Sequence, residues 1–577
     1  MKRYEIIQQN RQDIYPLAIK TYIRQIENSN NNNTVLKNYG KITNVDPLQD
    51  VIINTDNDNN IYLMGYGYCD SNLYDINKPL VVYNQNCDVH QFNPCKNLNI
   101  FVYLIKLSSN FDFKWKYIIG GIDCINTVNF TIFDNNIYIS GDFSNTIEIY
   151  NCDNIVAKIH NNCQQSSLFV ANINIYGVFG WVNYINSPSR VTLSDIFTDG
   201  NDIYISGNFG KEMIFYDYDN NYQATLKSNF SNNAFLIKYT KSGSLVWVLY
   251  FYDAIPLSSQ EITINSISVS NNIYIMGTFI TSEIYANLFV NNISNTNTQI
   301  YSISKSNKLL SGFVLSMNKN GEINYSFLIS DLTSQNFSII STNYIFYIVY
   351  QNISDTIIAK YNNLGTKIWE SKIVNSIFTT NSSIAIDNFD NIAIITKTLG
   401  ENAIIYNSDN TRGPIIIAKN STTSFITRIN SDGNILWATR QVGVSQNNFD
   451  ISIGKYGNIY IIGTFGSENL QIYDANGILT NTINTSGYEN TFIINYVEYS
   501  QILFLPIIIY PDFEKSIILD QSNFTLTAIY PKYDVEIYYL NKKVKCIILS
   551  QYSEFVVTST SYGWIVKNIK NTQIIYQ

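Results

Sequence analysis

Hydrophobic and polar residues alternate along most of this chain, in short runs that end at Gly, Asn or Asp. Residues 234–251 and residues 424–440 show the pattern most clearly, because alternating runs stand on either side of a polar turn that contains Gly. A period of two predicts half-buried β-strands, and two such runs joined by a short Gly-containing turn predict a β-hairpin. The pattern therefore predicts an all-β protein built from hairpins.

These hairpins carry a spacing that recurs along the chain. In each, an aromatic or aliphatic residue is followed twelve positions later by Trp or another large aromatic residue. The pairs are Tyr103/Trp115, Phe169/Trp181, Phe235/Trp247, Phe313/Tyr325, Ile357/Trp369, Phe425/Trp437 and Phe492/Phe504. Trp115, Trp181 and Trp247 follow each other at intervals of 66 residues. A fixed period of this kind indicates a stack of similar units, each too small to bury its own apolar face.

A second hairpin precedes each pair. Its outgoing strand reads Asn-Ile-Tyr-Ile-x-Gly at residues 136–141, 272–277 and 458–463, with close variants at 60–65 and 202–207. Two hairpins make a four-stranded antiparallel sheet, which is marginal alone but is protected when like sheets are repeated around an axis. The sequence thus predicts a seven-bladed β-propeller of four-stranded antiparallel blades over residues 47–510.

Each unit is longer than the common propeller repeats because it contains an insertion between its second and third strands, such as residues 466–490. We expect these insertions to form extra hairpins. The fifth unit differs, since Phe346–Tyr350 stands where the Asn-Ile-Tyr-Ile-x-Gly strand belongs and only 44 residues separate Tyr325 from Trp369. This unit is predicted to be a trimmed blade.

The two recurring motifs together resemble a known family. Asp/Gly-Asn-Ile-Tyr-Ile-x-Gly-x-Phe followed by Phe-Ile-x-Lys-Tyr-x-x-x-Gly-x-Leu-x-Trp is similar to the seven-bladed β-propeller repeat found in bacterial secreted and surface proteins, and the resemblance covers roughly residues 47–510. The family implies a fold but has no shared catalytic residues to transfer. The richness in Asn, Ile and Tyr also resembles proteins of large AT-rich DNA viruses or protists.

The two ends of the chain do not follow the repeat. Residues 1–46 contain partly apolar runs that could supply a ring-closing strand or half of an eighth blade, and we favour the closing strand. Residues 511–577 read as several short strands and predict a small β appendage. The first 45 residues lack the pattern of a secretory signal, so we expect synthesis in the cytoplasm and association with a virion. The longest apolar segment, residues 502–510, is far shorter than a membrane-spanning helix.

Charge is sparse in this sequence. Charged residues make up 14% of the chain and the net charge is -8, whereas ordinary domains are about 25% charged. Nucleic-acid binding requires clustered Lys and Arg, and no basic stripe is present, so no nucleic-acid partner is expected. A weakly charged surface rich in Tyr and Asn is typical of interfaces. Protein contact, self-assembly or carbohydrate contact is therefore expected, although a compositional bias of the genome would give the same residues.

Cysteine and histidine cluster in the first two units. The candidate metal ligands are Cys87, His90, Cys95, Cys152, His160 and Cys163. Each insertion offers three ligands, whereas structural zinc sites normally use four. Local disulfides from Cys87 to Cys95 and from Cys152 to Cys163, or unpaired cysteines in the core, remain the stronger alternatives, and no cofactor is expected.

No catalytic constellation stands out. Both histidines lie in Asn-rich insertions, away from any nucleophile and base arrangement. The carboxylate pairs Asp56 and Asp58, Asp199 and Asp202, and Asp387 and Asp390 sit in turns, where Asp bonds to the backbone. Residues 56–60 have alternating oxygen ligands but lack the remaining features of a calcium loop. The recurring Trp residues are predicted to be inter-blade core rather than sugar-stacking platforms.

These observations lead to an expectation about function. We expect a non-enzymatic β-propeller scaffold that makes protein contacts, as a structural or surface component of a large viral particle. A carbohydrate-binding propeller is the alternative, and a polysaccharide-cleaving enzyme with two opposed carboxylates in the central funnel is less favoured.

Overall fold

The computed structural model describes most of the central part of the chain and the strands of its C-terminal part. The described residues are 34–43, 51–68, 80–83, 89–92, 100–121, 125–151, 154–160, 165–217, 219–229, 233–253, 262–279, 284–290, 296–301, 311–329, 332, 337–353, 355–377, 384–398, 401–417, 423–454, 457–465, 469–484, 490–498, 507–509, 516–519, 523–528, 533–539, 542–548, 553–560, 563–568 and 574–576.

All regular structure in the described residues is β-strand. The first strands are β1 (Thr34–Thr43), β2 (Ile52–Thr55), β3 (Ile61–Tyr68), β4 (Leu80–Tyr83), β5 (Val89–Phe92), β6 (Ile100–Leu107), β7 (Phe113–Gly121), β8 (Ile125–Phe133), β9 (Asn136–Phe143), β10 (Thr146–Asn151), β11 (Asn154–His160), β12 (Ser167–Asn174), β13 (Phe179–Asn186), β14 (Val191–Thr198), β15 (Asp202–Phe209), β16 (Glu212–Tyr216) and β17 (Tyr222–Lys227). They are followed by β18 (Asn233–Thr240), β19 (Leu245–Asp253), β20 (Thr263–Val269), β21 (Ile273–Phe279), β22 (Ile284–Val290), β23 (Thr296–Tyr301), β24 (Ser311–Met317), β25 (Ile323–Ile329), β26 (Phe337–Ser341), β27 (Ile345–Asn352), β28 (Asp355–Asn362), β29 (Lys367–Val374), β30 (Ser376–Ile377), β31 (Ile384–Ile386), β32 (Ile392–Thr398), β33 (Ala403–Tyr406) and β34 (Arg412–Ile416). The last are β35 (Thr423–Ile429), β36 (Ile435–Val442), β37 (Val444–Ile453), β38 (Ile459–Phe465), β39 (Leu470–Tyr473), β40 (Leu479–Ile483), β41 (Asn490–Glu498), β42 (Ile507–Ile509), β43 (Ser516–Leu519), β44 (Asn523–Ala528), β45 (Tyr533–Tyr539), β46 (Lys542–Ile548), β47 (Ser553–Thr560), β48 (Gly563–Asn568) and β49 (Ile574–Tyr576).

Residues 36–496 form one compact unit, and its strands form antiparallel sheets, each named here after its innermost strand. The orders are β2-β3-β6-β7-β10-β11, β8-β9-β12-β13-β16-β17, β14-β15-β18-β19-β22-β23, β20-β21-β24-β25, β26-β27-β28-β29-β33-β34, β30-β32-β35-β36-β39-β40 with β31 on β32, and β37-β38-β41-β1-β4-β5. The innermost strands contact each other in chain order, and β37 contacts β2. The sheets are therefore the blades of a closed β-propeller.

The prediction of four-stranded blades is wrong for most of the ring, because among the described strands six of these sheets contain six or seven strands and the β20 sheet contains four. The extra strands are the predicted insertion hairpins. Each hairpin leaves the unit that encodes it and pairs with the fourth strand of the preceding blade, so that β10–β11 extends β7 and β16–β17 extends β13. A sequence pattern reports local pairing, and it does not indicate which outer edge an insertion will join.

The trimmed fifth unit explains the four-stranded sheet. Strands β27 and β28 are joined directly by a tight turn, with Asn352 opposite Asp355, so this unit has no hairpin to pass to the blade before it. That preceding blade is the β20 sheet, which ends at β25. In the β37 sheet the place of a fourth strand is taken by β1, which lies between β41 and β4. Phe504, predicted to lie in a fourth strand, is outside the described residues.

In five of the repeat units the recurring Gly is in direct contact with the first aromatic residue of the pair. Gly207 in β15 lies opposite Phe235 in β18, and a Cβ on this glycine would stand 2.7 Å from the Phe235 ring. At Gly277 the same atom would stand 2.6 Å from the Phe313 ring. Such distances are shorter than van der Waals contact, so only glycine lets the aromatic ring lie flat across the neighbouring strand.

A second unit comprises residues 1–35 and 497–577. Its described strands form a five-stranded sheet with the order β42-β44-β47-β48-β49 and a three-stranded sheet with the order β43-β45-β46. The pairs β42/β44 and β43/β45 are parallel and the others are antiparallel. This all-β unit departs from the hairpin pattern of the repeats.

Candidate interaction surface

The turns between the first and second strands of a blade and between its third and fourth strands lie on the same side of the propeller, called here the turn face. In the β26 sheet the two turns meet directly, because Asn363 N donates to Tyr344 O at 2.9 Å. The same contact joins Lys241 N to Asn201 O at 3.1 Å in the β14 sheet. The turn face is thus a continuous surface of paired turns.

Most of these turns share one rigid geometry. In the turn at Asn362, the side-chain Oδ1 accepts from Leu364 N at 3.0 Å and from Thr366 N at 2.9 Å, and Gly365 has a φ of 81°. This is a type I turn followed by a residue in the left-handed region. Asn430 and Gly433 repeat it in the next blade. The fixed backbone presents the two residues at each tip in a defined position.

Asp56 opens the turn of the hairpin formed by β2 and β3. Asp56 Oδ1 accepts from Asp58 N at 3.0 Å and from Asn60 N at 2.9 Å, and Asp56 Oδ2 accepts from Tyr62 Oη at 2.8 Å. Asn59 has a φ of 59°. The carboxylate is therefore engaged by its own turn and by the buried Tyr62.

The turn between the third and fourth strands of the β20 sheet is held by the blade before it, the β14 sheet. Lys319 O accepts from Lys238 Nζ at 3.1 Å and from Trp247 Nε1 at 3.3 Å. Lys238 also forms an ion pair with Asp202 at 2.9 Å and lies 5.6 Å from the Tyr204 ring centre. We call this arrangement of lysine, tryptophan and backbone carbonyl the latch.

The latch recurs at other joints. Ile175 O accepts from Lys106 Nζ at 2.8 Å and from Trp115 Nε1 at 3.0 Å. Ser431 O accepts from Lys360 Nζ at 2.7 Å and from Trp369 Nε1 at 3.0 Å. Burial lowers the pKa of Lys106 and of Lys360. The recurring tryptophans thus serve as inter-blade contacts, as the sequence predicts, rather than as exposed sugar platforms.

Large apolar side chains project from the turn face. On the β26 sheet and the following sheet, which contains β30, β31 and β32, Tyr344 is 74% exposed, Leu364 is 76% exposed and Phe389 is 63% exposed. Ile368 and Leu436 are also exposed nearby. We call Tyr344, Leu364, Phe389, Ile368 and Leu436 the apolar turn patch.

Hydrogen bonds connect the backbone beneath this patch. Tyr347 Oη donates to Asp390 O at 2.8 Å, which ties the β26 sheet to the Phe389 turn. Ser431 N donates to Asn391 Oδ1 at 3.1 Å, which ties that turn to the next one. The exposed side chains therefore stand on a hydrogen-bonded backbone. The sequence pattern does not indicate them, because the tips of turns are usually polar.

A second cluster of exposed residues on the turn face lies on the β8 sheet. Tyr176 is 72% exposed and Val178 is 59% exposed, and both flank the left-handed Gly177. Phe133 is 42% exposed and packs against Gly200 of the next blade. The turn face therefore exposes apolar residues on two sides of the ring.

Carboxylates of the inner strands are used to join blades. Asp195 Oδ1 accepts from Ile196 N at 2.8 Å and from Asn129 Nδ2 at 3.0 Å, and Oδ2 accepts from Ile267 N at 2.9 Å. The three bonds connect three consecutive inner strands. Burial raises the pKa of Asp195 to about 7.

Asp450 has a comparable role, and Asp142 in β9 accepts from Leu193 N of the next blade at 3.5 Å. Asp450 Oδ2 accepts from Ile53 N at 2.7 Å and Oδ1 accepts from Ile451 N at 2.8 Å, which joins β37 to β2. Asp142 accepts from Asn126 Nδ2 at 3.0 Å and from Thr127, and burial raises its pKa. Opposed catalytic carboxylates must face a substrate, whereas these three accept hydrogen bonds from their own and neighbouring strands.

The structure describes two of the six predicted metal ligands, His90 and His160, which lie in different sheets. Cys87, Cys95, Cys152 and Cys163 lie outside the described residues, so neither disulfide alternative can be placed. His90 lies in β5, opposite Val82. His160 is exposed at the end of β11, with its Nδ1 2.9 Å from Thr146 Oγ1. Among the residues that the structure describes, no group of three potential ligands forms a metal site.

Within the described ranges, no helix has the length and apolarity to cross a bilayer.

Comparison with curated proteins finds a distant sequence relative. The chain is 23% identical over 544 residues to an uncharacterised WD repeat-containing protein of Acanthamoeba polyphaga mimivirus, with 81% of this chain and 38% of that protein covered. The match thus spans well under half of the relative's length. No protein-family model matches the chain.

Solved structures resemble the chain only distantly. A phage phi92 endosialidase has 10% identity and a TM-score of 0.33, covering 80% of this chain and 69% of that one. A subtype N10 neuraminidase-like protein of A/little yellow-shouldered bat/Guatemala has 8% identity and a TM-score of 0.27, covering 63% of this chain and 90% of that one. Both TM-scores are below 0.5, so these similarities do not indicate a function for this chain.

Proposed function

We propose that this protein is a non-enzymatic β-propeller scaffold that makes protein contacts through its turn face, as a structural or surface component of a large viral particle. The observation that carries the proposal is the apolar turn patch, in which Tyr344, Leu364 and Phe389 are each more than 60% exposed. Large apolar side chains held on a rigid frame are typical of protein-binding surfaces.

The rest of the site is consistent with contact rather than chemistry. The recurring tryptophans hold turns, and Asp142, Asp195 and Asp450 hold inner strands. Sequence similarity to a mimivirus protein and the low charge of the chain support assembly in a large virus. Under this proposal the protein is made in the cytoplasm and is then incorporated into the virion.

The test is a variant in which the patch is made acidic. Tyr344→Asp, Leu364→Asp and Phe389→Asp together should abolish incorporation of the full chain into purified particles, while its melting temperature changes little because all three side chains are exposed. A matched control carries Tyr222→Asp and Ile478→Asp, which are similarly exposed but lie at outer hairpins. The control should be incorporated normally.

Two outcomes count against the proposal. Equal incorporation of the patch variant and the control would remove the turn face as the contact surface. A wild-type chain that is absent from purified particles and binds glycans on an array would instead support the carbohydrate-binding alternative.

A further inference from the structure

The outer edge of β25 differs from the equivalent edge of every other propeller sheet. In the six larger sheets the fourth strand is paired with a hairpin from the next unit, whereas the β20 sheet ends at β25. Among the residues that the structure describes, no strand pairs with the outer side of β25. An edge of this kind presents unpaired backbone donors and acceptors to an incoming strand.

The sequence of β25 offers no protection against pairing. Ile323–Ile329 reads Ile-Asn-Tyr-Ser-Phe-Leu-Ile and contains no charged residue and no proline. Natural edge strands are usually guarded by Lys, Pro or a bulge. Tyr325 and Phe327 are partly buried in the sheet, and the Phe327 ring stacks on Tyr361 at 4.9 Å. The edge is therefore rigid, apolar and unguarded.

The neighbouring blades place this edge in a recess. The β14 sheet is extended by β22–β23 and the β26 sheet by β33–β34, so each protrudes two strands beyond the level of β25, or about 10 Å at the usual strand spacing. Two copies of the chain cannot bring their β25 strands together, because the flanking blades of both copies meet first. A protruding two-stranded hairpin fits the recess.

The rest of the propeller shows how such a hairpin sits. In the adjacent β14 sheet, Trp247–Asp253 of β19 pair antiparallel with Ile284–Val290 of β22. Tyr325 corresponds to Trp247, because each lies opposite a third-strand residue, Ser316 and Lys238 respectively. The same docking on β25 extends from Tyr325 to Ile329. The β22 and β23 strands contain no charged residue.

We infer that the outer edge of β25 is a docking site for a β-hairpin of a partner protein, with uncharged strands of alternating apolar and polar residues, which adds antiparallel to Tyr325–Ile329. Main-chain hydrogen bonds supply the affinity and the alternate side chains supply the specificity. The inference rests on the proposed scaffold function, which makes the partner a protein. It concerns the outer edge of β25 and not the turn face.

The test is amide hydrogen exchange of the full-length protein, with β19 as the internal reference. Because β19 is paired on both sides and β25 is paired on one side by the strands that the structure describes, alternate amides of β25 should exchange at least tenfold faster than those of β19 in the free chain. The probe is a synthetic peptide of residues 284–301, the β22–β23 hairpin, at millimolar concentration. It should slow exchange in β25 and leave the turn face unchanged.

A grafted variant supplies the control. Residues 280–303 are repeated between β27 and β28, which restores to the trimmed unit the hairpin that it lacks. In this variant β25 should be as protected as β19, and the peptide should have no further effect. A second graft of the same length made of Gly and Ser should leave β25 exposed.

Three outcomes overturn the inference. Equal protection of β19 and β25 in the free monomer would mean that the chain covers its own edge. Protection that rises with protein concentration, together with a dimer in sedimentation, would assign the edge to a second copy. If neither the peptide nor the graft slows exchange in β25, the edge does not accept a hairpin. None of these results bears on the particle test of the turn patch.

Discussion

Two neighbouring joints of the propeller share the β20 sheet and use different chemistry. At the joint with the β14 sheet, the Asp195 carboxylate accepts from Ile267 N at 2.9 Å, and the latch of Lys238 and Trp247 holds the next turn. At the joint with the β26 sheet, the Ser266 hydroxyl accepts from Ile339 N at 3.3 Å. The first joint is charged and the second is neutral.

Aromatic stacking replaces the latch at the second joint. Ser316 and Tyr325 occupy the positions of the latch lysine and tryptophan, and the Tyr274 and Phe346 rings stack at 4.6 Å across the joint. Phe346 also stacks on Tyr361 at 5.2 Å. Equivalent contacts between blades are thus made either by hydrogen-bonded charged side chains or by packed aromatic rings. The stability of the two joints should therefore respond differently to pH and to mutation.

The largest expected effect comes from removing the latch tryptophan. Trp247→Ala should lower the free energy of unfolding by about 3–5 kcal/mol, because a side chain that is 3% exposed is lost and a cavity remains. Tyr325→Ala at the neutral joint, where the side chain is only partly buried, should cost roughly half as much. Urea unfolding measures both, and equal losses would contradict the distinction between the joints.

The pH dependence of the charged joint is the second test. Burial raises the pKa of the Asp195 carboxyl to about 7, from a value of 3.8 in the absence of the fold. The folded state therefore favours the protonated form. This contribution is fully present below about pH 4 and is lost as the pH rises to about 7.

The loss should reach at most about 4 kcal/mol, and less where water approaches the partly exposed residue. Asp195→Asn should remove this part of the pH dependence, and Ser268→Ala at the neutral joint, which removes the acceptor of Ser341 N, should leave it in place. Unfolding followed from pH 4 to pH 8 gives the comparison. An unchanged pH profile in Asp195→Asn would show that another group is responsible.

The smallest effect is expected from moving the latch to the neutral joint. Ser316→Lys combined with Tyr325→Trp should bring two donors toward Asn363 O, the counterpart of Lys319 O in the turn of β28 and β29. A gain of about 0.5–1.5 kcal/mol corresponds to one net hydrogen bond. Asn272 stands where the charged joint has Asp202, so Asn272→Asp should add to the gain. A decrease in melting temperature in the triple variant would mean that the aromatic stack excludes the latch.

The sequence predicts the parts of the fold that depend on neighbouring residues. Period-two alternation predicts the strands of residues 234–251, and the Gly433 turn has the left-handed residue that its Asp-Gly pair predicts. The role of the tryptophans as core was predicted because they recur at one strand position. Local pattern and turn chemistry are enough for these features.

The remaining features depend on contacts between units. The pairing of β10–β11 with β7 of the preceding blade could not be predicted from the sequence. The same alternation of residues would suit a hairpin paired with its own blade. The role of Asp195 was missed because a carboxylate that accepts bonds from a neighbouring strand looks, in sequence, like any polar residue of a strand. The exposed Leu364 and Phe389 were missed because the pattern predicts polar turn tips.

The transfer of each hairpin to the preceding blade has a consequence for how such a chain can lengthen or shorten during evolution. A tandem duplication of one repeat would add a blade together with the hairpin that covers the blade before it, so no bare edge would arise. Loss of a hairpin alone, by contrast, is harmless to the repeat that loses it and uncovers its neighbour. The short connection between β27 and β28 has that form, and a single deletion in one repeat is enough to create a new surface on another.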